Sequence, residues 1–526
     1  MRSLDLSTKE GAKSDRPLAE RLREITELLE SIVEDRALLA ELGEDDQRRL
    51  LEAAGLVWCP DPKQRRTLAR ALSAKRRAQR VEREETVLQE TGIRSLRRRR
   101  TFTTPNVRAP KLDASPDPSS SAPADGKQAK DERMSYCYVC KEDFSQIHHF
   151  YDQLCPTCAD FNFSKRTELA DLSGRVALVT GGRVKIGYQA GLKLLRCGAR
   201  LIVSTRFPRD SAMRYAQEPD FEDWSDRLEV FGLDLRHTPS VEAFCQEVAR
   251  RHERLDYIIN NACQTVRRPP AFFEHMMEAE TSALDSMPEN ARRLVGSYED
   301  LRDLGPSAEA EALQLAAQGM PKAVGLVAPA ELSQVALLPE EERIQEALFP
   351  RGSMDQDQQQ IDLRETNSWR MLMAEVPTVE LLEVHLVNAV APFILNARLK
   401  PLLLATPERD KHVVNVSAVE GQFYRTAKTT RHPHTNMAKA SLNMMTRTSA
   451  ADYHNDGIHM NSVDTGWVTD EDTEALAARK VAEHRFHPPL DIVDGAARIV
   501  DPIIDGVNSG NHVWGQFLKD YRPTDW

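Results

Sequence analysis

Apolar positions along the chain change their rhythm twice. In residues 17–56, Leu18, Leu22, Ile25, Leu28, Leu29, Ile32 and Val33 recur at the three-and-four spacing that gives a helix one apolar face. A second helical pattern, residues 62–91, is rich in Arg, Lys and Glu and has few apolar positions. After residue 175 the pattern becomes short, continuously apolar runs separated by amphipathic stretches. The runs predict strands at 176–180, 200–204, 228–233, 257–260, 413–417 and 459–463, with helices at 188–197, 240–251, 379–399 and 435–453. Strands apolar on both sides, joined by helices, predict an α/β fold with a doubly wound parallel sheet over residues 172–526. A Glu-, Ala- and Gln-rich segment, about 267–376, interrupts the alternation after the fourth strand. It reads as mostly helical and too polar for a buried layer, with MDQDQQQIDLRE as a solvated loop. Its position on the carboxyl edge of the sheet predicts a roof over a ligand pocket or a partner surface.

Composition adds boundaries. Of 526 residues, 41% are apolar and 29% charged, which suits two to four folding units with one poorly packed portion. Residues 106–132, dominated by Pro, Ser, Ala, Asp and Lys, read as a flexible linker after a helical, basic region 1–105. The net charge of −11 argues against a chain that binds nucleic acid or membrane as a whole. Arginine and lysine nevertheless crowd residues 63–100, ending in Arg97-Arg98-Arg99-Arg100. Such a cluster would contact phosphates if a nucleic acid were the partner, but a solvated tail is the plainer reading. No run approaches the roughly 18 consecutive apolar residues of a membrane span, and the start lacks an apolar secretory stretch. A cytoplasmic protein without a membrane partner is expected.

Four of the eight cysteines form two pairs, Cys137/Cys140 and Cys155/Cys158, spaced C-x2-C-x14-C-x2-C. Four thiolates on tight turns close a tetrahedron around zinc, with iron as the competing metal. All four positions are filled by protein, so the site is structural. His148 and His149 lie between the pairs as alternative ligands. The module, residues 133–165, resembles small zinc-ribbon or treble-clef fingers, which are too short to fold without their metal.

The turn after the first strand reads Thr180-Gly181-Gly182-Arg183-Val184-Lys185-Ile186-Gly187. Further along stand Asp234-Leu235, Asn260-Asn261-Ala262-Cys263, Asn388, Lys439, and Asn461-Ser462-Val463-Asp464-Thr465-Gly466. In this order they resemble the short-chain dehydrogenase/reductase family, with its TG-x-x-x-G-x-G turn, D-[LV] pair, NNAG, helix asparagine, YxxxK lysine and N-x-V-x-PG turn. The resemblance covers about 174–526. It implies a seven-stranded parallel Rossmann sheet binding NAD or NADP across its carboxyl edge. Lys185 stands where the second motif glycine is expected, as a basic residue does in the similar pteridine reductases. A cation there can lie beside the pyrophosphate. Arg206, just after the second strand, occupies the place where an acid would select NAD and a base NADP. Lys185, Arg183 and Arg206 together point to NADP(H), with NAD(H) second. The coenzyme site implied by the resemblance comprises Gly181, Arg183, Lys185, Ile186, Gly187, Arg206, Asp234, Leu235, Asn261, Ala262, Lys439, Gly466 and Thr469. Thr469 is expected at the nicotinamide carboxamide.

The catalytic pattern is broken. In the resembled family a tyrosine protonates the carbonyl oxygen, aided by a lysine four residues on, a serine and an asparagine. Here Asn388 and Lys439 remain, but Thr435 stands at the tyrosine and Ala418 at the serine. Ser417 is expected to face the other way. Tyr424 and Lys428 form a literal YxxxK that is out of register, although Tyr424 could swing in from its loop. His432 and His434 share that loop; solvated side chains are the plainer reading, proton donors the sharper one. Thr435 could orient a substrate oxygen. The reading is an NADP(H)-dependent oxidoreductase with an atypical site and unknown small-molecule substrate, expected as a homo-oligomer with a candidate protein partner. The alternative is a catalytically silent nucleotide-binding platform that docks partners through its zinc module and insert, and a third is a nucleic-acid-associated sensor.

Overall fold

The computed structural model describes residues 17–105, 130–303, 327–342, 347–424, 428–469 and 471–526. The chain divides into two compact units, Met1–Arg83 and Glu84–Trp526. In the first, helices Leu18–Glu34 and Glu44–Trp58 form as their periodicity predicts. Asp35 caps the turn between them by accepting from the Ala37 N–H, and Glu44, Asp45 and Asp46 suit the positive end of the second helix. The predicted apolar stripe stays exposed, however, at Leu18, Leu22, Ile25 and Leu28. Most of the linker expectation, residues 106–129, lies outside the described residues; its last part does not hold, because strand β1 begins at Lys130.

In the second unit β1 (Lys130–Tyr136) and β2 (Asp143–Gln146) form an antiparallel hairpin. Strands β3 (Val176–Thr180), β4 (Arg200–Thr205), β5 (Leu228–Gly232), β6 (Tyr257–Asn260), β7 (Lys411–Ser417), β8 (Ile458–Asp464), β9 (Phe517–Lys519) and β10 (Arg522–Thr524) form one sheet, ordered β10-β9-β8-β7-β6-β3-β4-β5. All neighbours are parallel except β9 and β10. The seven strands β3 to β9 form the expected parallel sheet, and β10 adds an eighth, antiparallel strand at its edge. Strands β3, β7 and β8 are buried along their whole length, as their apolar runs require. On one face Leu192, Leu195, Ile499 and Ile503 pack from helices Lys185–Arg196 and Ile492–Ser509. On the other, Phe244, Val248, Leu395 and Leu399 pack from helices Thr238–Arg251 and Ala391–Leu403. Each such side chain contributes roughly 1.5–3 kcal/mol on burial.

The stretch Thr378–Leu403 is long and apolar enough to cross a membrane by length and composition, which the residue-by-residue count missed. Here its Val384, Val387, Ala391, Leu395 and Leu399 are buried, mostly in the core beneath the sheet. A π-helical turn, Leu386–Val390, divides it, so the single predicted helix is two helices around a widened turn.

Four expectations about exposure and independence fail. The cysteine module is not a separate body: Cys137, Phe144, Ile147, Tyr151 and Leu154 share a core with Val468, Leu490, Ile492 and Val493 and with Ile186 of the turn. Buried Arg166 donates to both carboxylate oxygens of Asp491 at 2.7 and 2.9 Å and to Asp494 at 2.8 Å. Part of the supposed basic tail is also interior. Arg94 pairs with buried Asp152, and Arg97 donates to the Leu490 carbonyl at 2.9 Å. The insert, in turn, contains helices Pro270–Thr281 and Glu289–Asp303 but is largely irregular over its described residues 327–342 and 347–376. It does contribute core: Leu294 and Val295 pack onto the sheet, and Phe272, Phe273, Met276 and Phe349 close around Phe207. The MDQDQQQIDLRE stretch is no solvated loop either. Gln360 and Asp362 are buried, and Gln360 donates to the carbonyls of Pro350 and Ser353.

Candidate functional site

A cavity of about 1010 Å³ opens along the carboxyl ends of the parallel strands, where the strand order reverses around β3. Its first wall is the β3 turn. Gly181 has φ +68°, and an added Cβ would meet the Ala262 Cα at 2.9 Å. A Cβ on Gly187 would come within 2.3 Å of the Asn261 amide and the Gly181 carbonyl. Asn261 locks the turn by donating to the carbonyls of Thr180 and Gly181 at 3.0 and 3.2 Å, while the Ala262 N–H donates to the Thr180 hydroxyl at 3.0 Å. The glycines and Asn261 thus bring backbone close to anything seated here. Lys185 opens the helix with φ +56°, a left-handed conformation that suits glycine and costs a lysine roughly 1–2 kcal/mol. The residue thus takes a backbone that glycine favours and places an ammonium at a helix N-terminus, already favourable to phosphate.

The three predicted cations are not equivalent. Lys185 lies 4.0 Å from Asp357 of the insert, whose carboxyl burial pushes above the usual range. Arg183 is buried and committed, donating to Asp210 at 2.7 Å and to Gln359 at 3.3 Å. It lines the cavity as expected, but its hydrogen bonds also fasten the insert to the turn. Arg206 lines the cavity, lies 4.5 Å from the Phe273 ring centre, and makes no hydrogen bond or ion pair with another described residue. Burial pulls its guanidinium down to about 10, so it remains charged at neutral pH. Asp234, expected to face the coenzyme, is buried and held in a fork by Arg236, which reaches on to Glu383 at 2.8 Å. Burial would raise the Asp234 carboxyl, but Arg236 holds it below the usual range. Leu235 and Ile186 line the cavity beside it.

At the catalytic end, Lys439 is buried and donates to the Val416 carbonyl at 2.9 Å, and it lines the cavity. Asn388 sits in the π-helical turn, donating to the carbonyls of Gln264 and Val384 at 2.8 Å each. Its buried Oδ1 has no partner. The β6 asparagine, Asn260, instead ties β6 to Asn396 and Asn415 at 2.8 Å each. Thr435 is buried, with its hydroxyl 3.4 Å from the Thr265 carbonyl it donates to. Ala418 lines the cavity where the serine was sought, and the Ser417 hydroxyl is buried without a partner.

Tyr424 is 91% exposed and is not among the cavity's lining residues, so the structure withdraws it from the site. Lys428 donates to the Glu420 and Gln422 carbonyls at 2.7 Å each. The solvated reading of the histidines is also corrected. His432 lines the cavity and stacks on Trp369 with centroids 3.9 Å apart. His434 is 1% exposed, and burial pulls its imidazole down to about 4, with His432 and His385 adding repulsion. The Glu380 carboxylate, 3.9 Å away, accepts from the Arg267 N–H and does not reverse that shift. Thr469 accompanies Gly466 on the far wall, where its hydroxyl donates to Glu471 at 3.0 Å. Sequence reading missed Tyr138, Asp464 and Lys519, which also line the cavity. Asp464 lay within the quoted turn motif; nothing local marked the other two.

The four cysteine sulfurs lie within 4.8 Å of one another, and Cys140 and Cys155 are 3.7 Å apart. Four sulfurs bound at 2.3 Å would sit ~3.8 Å apart, so the cluster fits a tetrahedral metal. His148 is committed elsewhere: its Nδ1 accepts from the N–H groups of Phe150 and Tyr151, and Asp160 lies 3.3 Å from its Nε2.

Known proteins resemble this chain over two segments of the sheet domain. Residues 175–286 match the family model for short chain dehydrogenase, and residues 367–489 that for enoyl-(acyl carrier protein) reductase. Most of the insert falls between the two matches. Mouse retinol dehydrogenase 14 is 37% identical over 102 residues, 17% of this chain and 30% of that protein. Bovine dehydrogenase/reductase SDR family member 13 is 35% identical over 105 residues, 19% of this chain and 28% of that protein. The chain thus aligns with less than a third of either relative. The uncharacterized protein R665 of Acanthamoeba polyphaga mimivirus is 29% identical over 394 residues, 73% of this chain and 74% of that protein. Among solved structures, the Pseudomonas aeruginosa RhlG/NADP active-site complex is 16% identical, covering 66% of this chain and 95% of its own, with a TM-score of 0.39. The two segments that flank most of the insert are thus similar to short chain dehydrogenase and to enoyl-(acyl carrier protein) reductase, respectively.

Proposed function

We propose that this chain is an NADP(H)-dependent oxidoreductase of the short-chain dehydrogenase/reductase type, with a rebuilt proton-handling end. The observation that carries the reading is Arg206: a half-buried, cavity-lining guanidinium that lies over the Phe273 ring and makes no hydrogen bond or ion pair with another described residue, one strand away from the glycine turn. A partly desolvated cation without an ionic partner favours a bound anion, and a 2′-phosphate suits that place. The helix N-terminus behind Lys185 and the Lys185 ammonium would receive the pyrophosphate. Gly466 and Thr469 would bound the nicotinamide. When bound, the coenzyme supplies or accepts the hydride.

The remaining steps fall to the chain. Lys439 would hydrogen-bond the coenzyme ribose and keep a positive charge under the substrate oxygen. The free Oδ1 of Asn388 would hold a water, and the Thr435 hydroxyl would orient the substrate oxygen. Four thiolates would hold a structural zinc with no open position for a reactant. A second reading, a nucleotide-holding platform without turnover, is favoured by Ala418, Thr435 and the exposed Tyr424.

The test is calorimetry with NADPH and NADH, followed by turnover on a carbonyl, pterin and quinone panel. NADPH bound in preference to NADH, with oxidation of one panel member, meets the first reading. Binding without oxidation meets the second, and failure to bind either coenzyme removes both.

A further inference from the structure

Resting on that coenzyme assignment, we propose that Tyr138 of the cysteine module is a positioning residue for the nicotinamide end of the site. Cys137 and Cys140 bracket it, and the knuckle is closed by the Lys141 N–H donating to the Cys137 carbonyl at 3.1 Å. The Tyr138 N–H donates to the Gln153 carbonyl at 2.9 Å, which fixes the residue from the loop before Cys155. From this mount the phenol crosses to the Rossmann core, where its oxygen accepts the Trp467 N–H at 2.9 Å. The other side of Trp467 is held too, its carbonyl accepting from the Leu490 N–H at 3.3 Å. Leu490 shares a core with Cys137 and Leu154, so both clamps on Trp467 lead back to the module. Ammonium groups of Lys141 and Lys519 lie 4.8 and 5.4 Å from the ring centre and confine the phenol laterally.

The loop so held runs from Thr465 to Thr469 along the cavity wall. Its family-like turn lacks the proline that would fix φ, having Thr465 there, while Gly466 takes φ +75°. A chain without that internal restraint needs an external one, and Tyr138 is placed to supply it.

The experiment compares two ligands by calorimetry on the full, metallated protein: NADPH, and adenosine 2′,5′-bisphosphate, which has the 2′-phosphate half but no nicotinamide. Tyr138→Phe is expected to keep its metal content and its affinity for the bisphosphate, and to bind NADPH about 3- to 10-fold more weakly, the effect of one neutral hydrogen bond. Should Tyr138→Phe fold poorly, Trp467→Pro removes the same bond from the donor side without touching the module and is expected to show the same selectivity. Unchanged NADPH affinity, or equal weakening of both ligands, overturns the proposal. If the wild type binds the bisphosphate and not NADPH, the positioning role fails while the phosphate site stands. If it binds neither, the coenzyme reading falls and takes this one with it.

Discussion

The two ends of the cavity have been treated differently. At the phosphate end the departures leave the approach open: Lys185 takes a left-handed backbone of the kind glycine favours, and Arg206 lines the cavity over Phe273 with no hydrogen bond or ion pair to another described residue. At the catalytic end the departures remove function-bearing atoms, leaving Ala418 and Thr435 where a hydroxyl and a phenol were sought. Conformation and charge at one end still suit a phosphate-bearing ligand, while at the other the hydroxyl and phenol of the resembled pattern are absent from their positions. The difference teaches that a nucleotide site tolerates side-chain exchange as long as backbone approach is preserved, whereas an acid must be replaced by another acid.

That contrast can be broken most forcefully at Lys439. If the catalytic end works, Lys439→Ala lowers kcat by about 10²- to 10⁴-fold on whichever panel substrate is turned over, measured under saturating NADPH. Unchanged turnover would mean that the lysine is structural and the two ends are equally remodelled. A second effect sharpens how dry the catalytic end is. The folded imidazole of His434 is held at about 4, below its ordinary 6.5, by burial. A depressed value means that folding favours the neutral ring, so its stability is fully present above pH 6.5 and lost as pH falls toward 4. Urea unfolding is expected to show up to ~3 kcal/mol of loss across that window. His434→Gln should flatten the profile, and a profile unaltered by the change would place the ring in water.

At the phosphate end, Arg206→Ala should weaken NADPH about 10- to 100-fold, the scale of one or two charge-assisted hydrogen bonds, with NADH affected less than about twofold. Equal losses for both coenzymes would detach Arg206 from the 2′-phosphate. The smallest effect is expected from Tyr424→Phe, which should change neither coenzyme affinity nor turnover by more than about twofold, since the residue stands outside the cavity.

What was readable in the sequence follows the strength of the local pattern. Strands β3 to β8 announce themselves because both faces are buried and their runs are uninterrupted. The glycine turn and the cysteine quartet are legible because backbone approach and metal geometry demand fixed residue types at fixed spacing. The hairpin of β9 and β10 has three residues per strand, too few to show a period. The insert misleads for a different reason: Gln360 and Asp362 look like solvent-facing residues, but they are buried and their polarity is spent on hydrogen bonds within the protein. Asn388 could be placed on its helix, but not the π-helical turn that frees its oxygen, which depends on what the helix packs against. Tyr138 carries no signal at all, because its partner lies 329 positions away.

The shared core of the cysteine module and the sheet domain has a practical outcome for anyone trimming this polypeptide. A shortened version starting at Gly174 would keep every strand of the large sheet, yet it would strip the cover from Ile186, Val468, Leu490, Ile492 and Val493. It would also leave Asp491 and Asp494 without the arginine that neutralises them. Such a fragment should come out of expression sticky and prone to clumping, while the longer version that begins before Ile93 stays monodisperse.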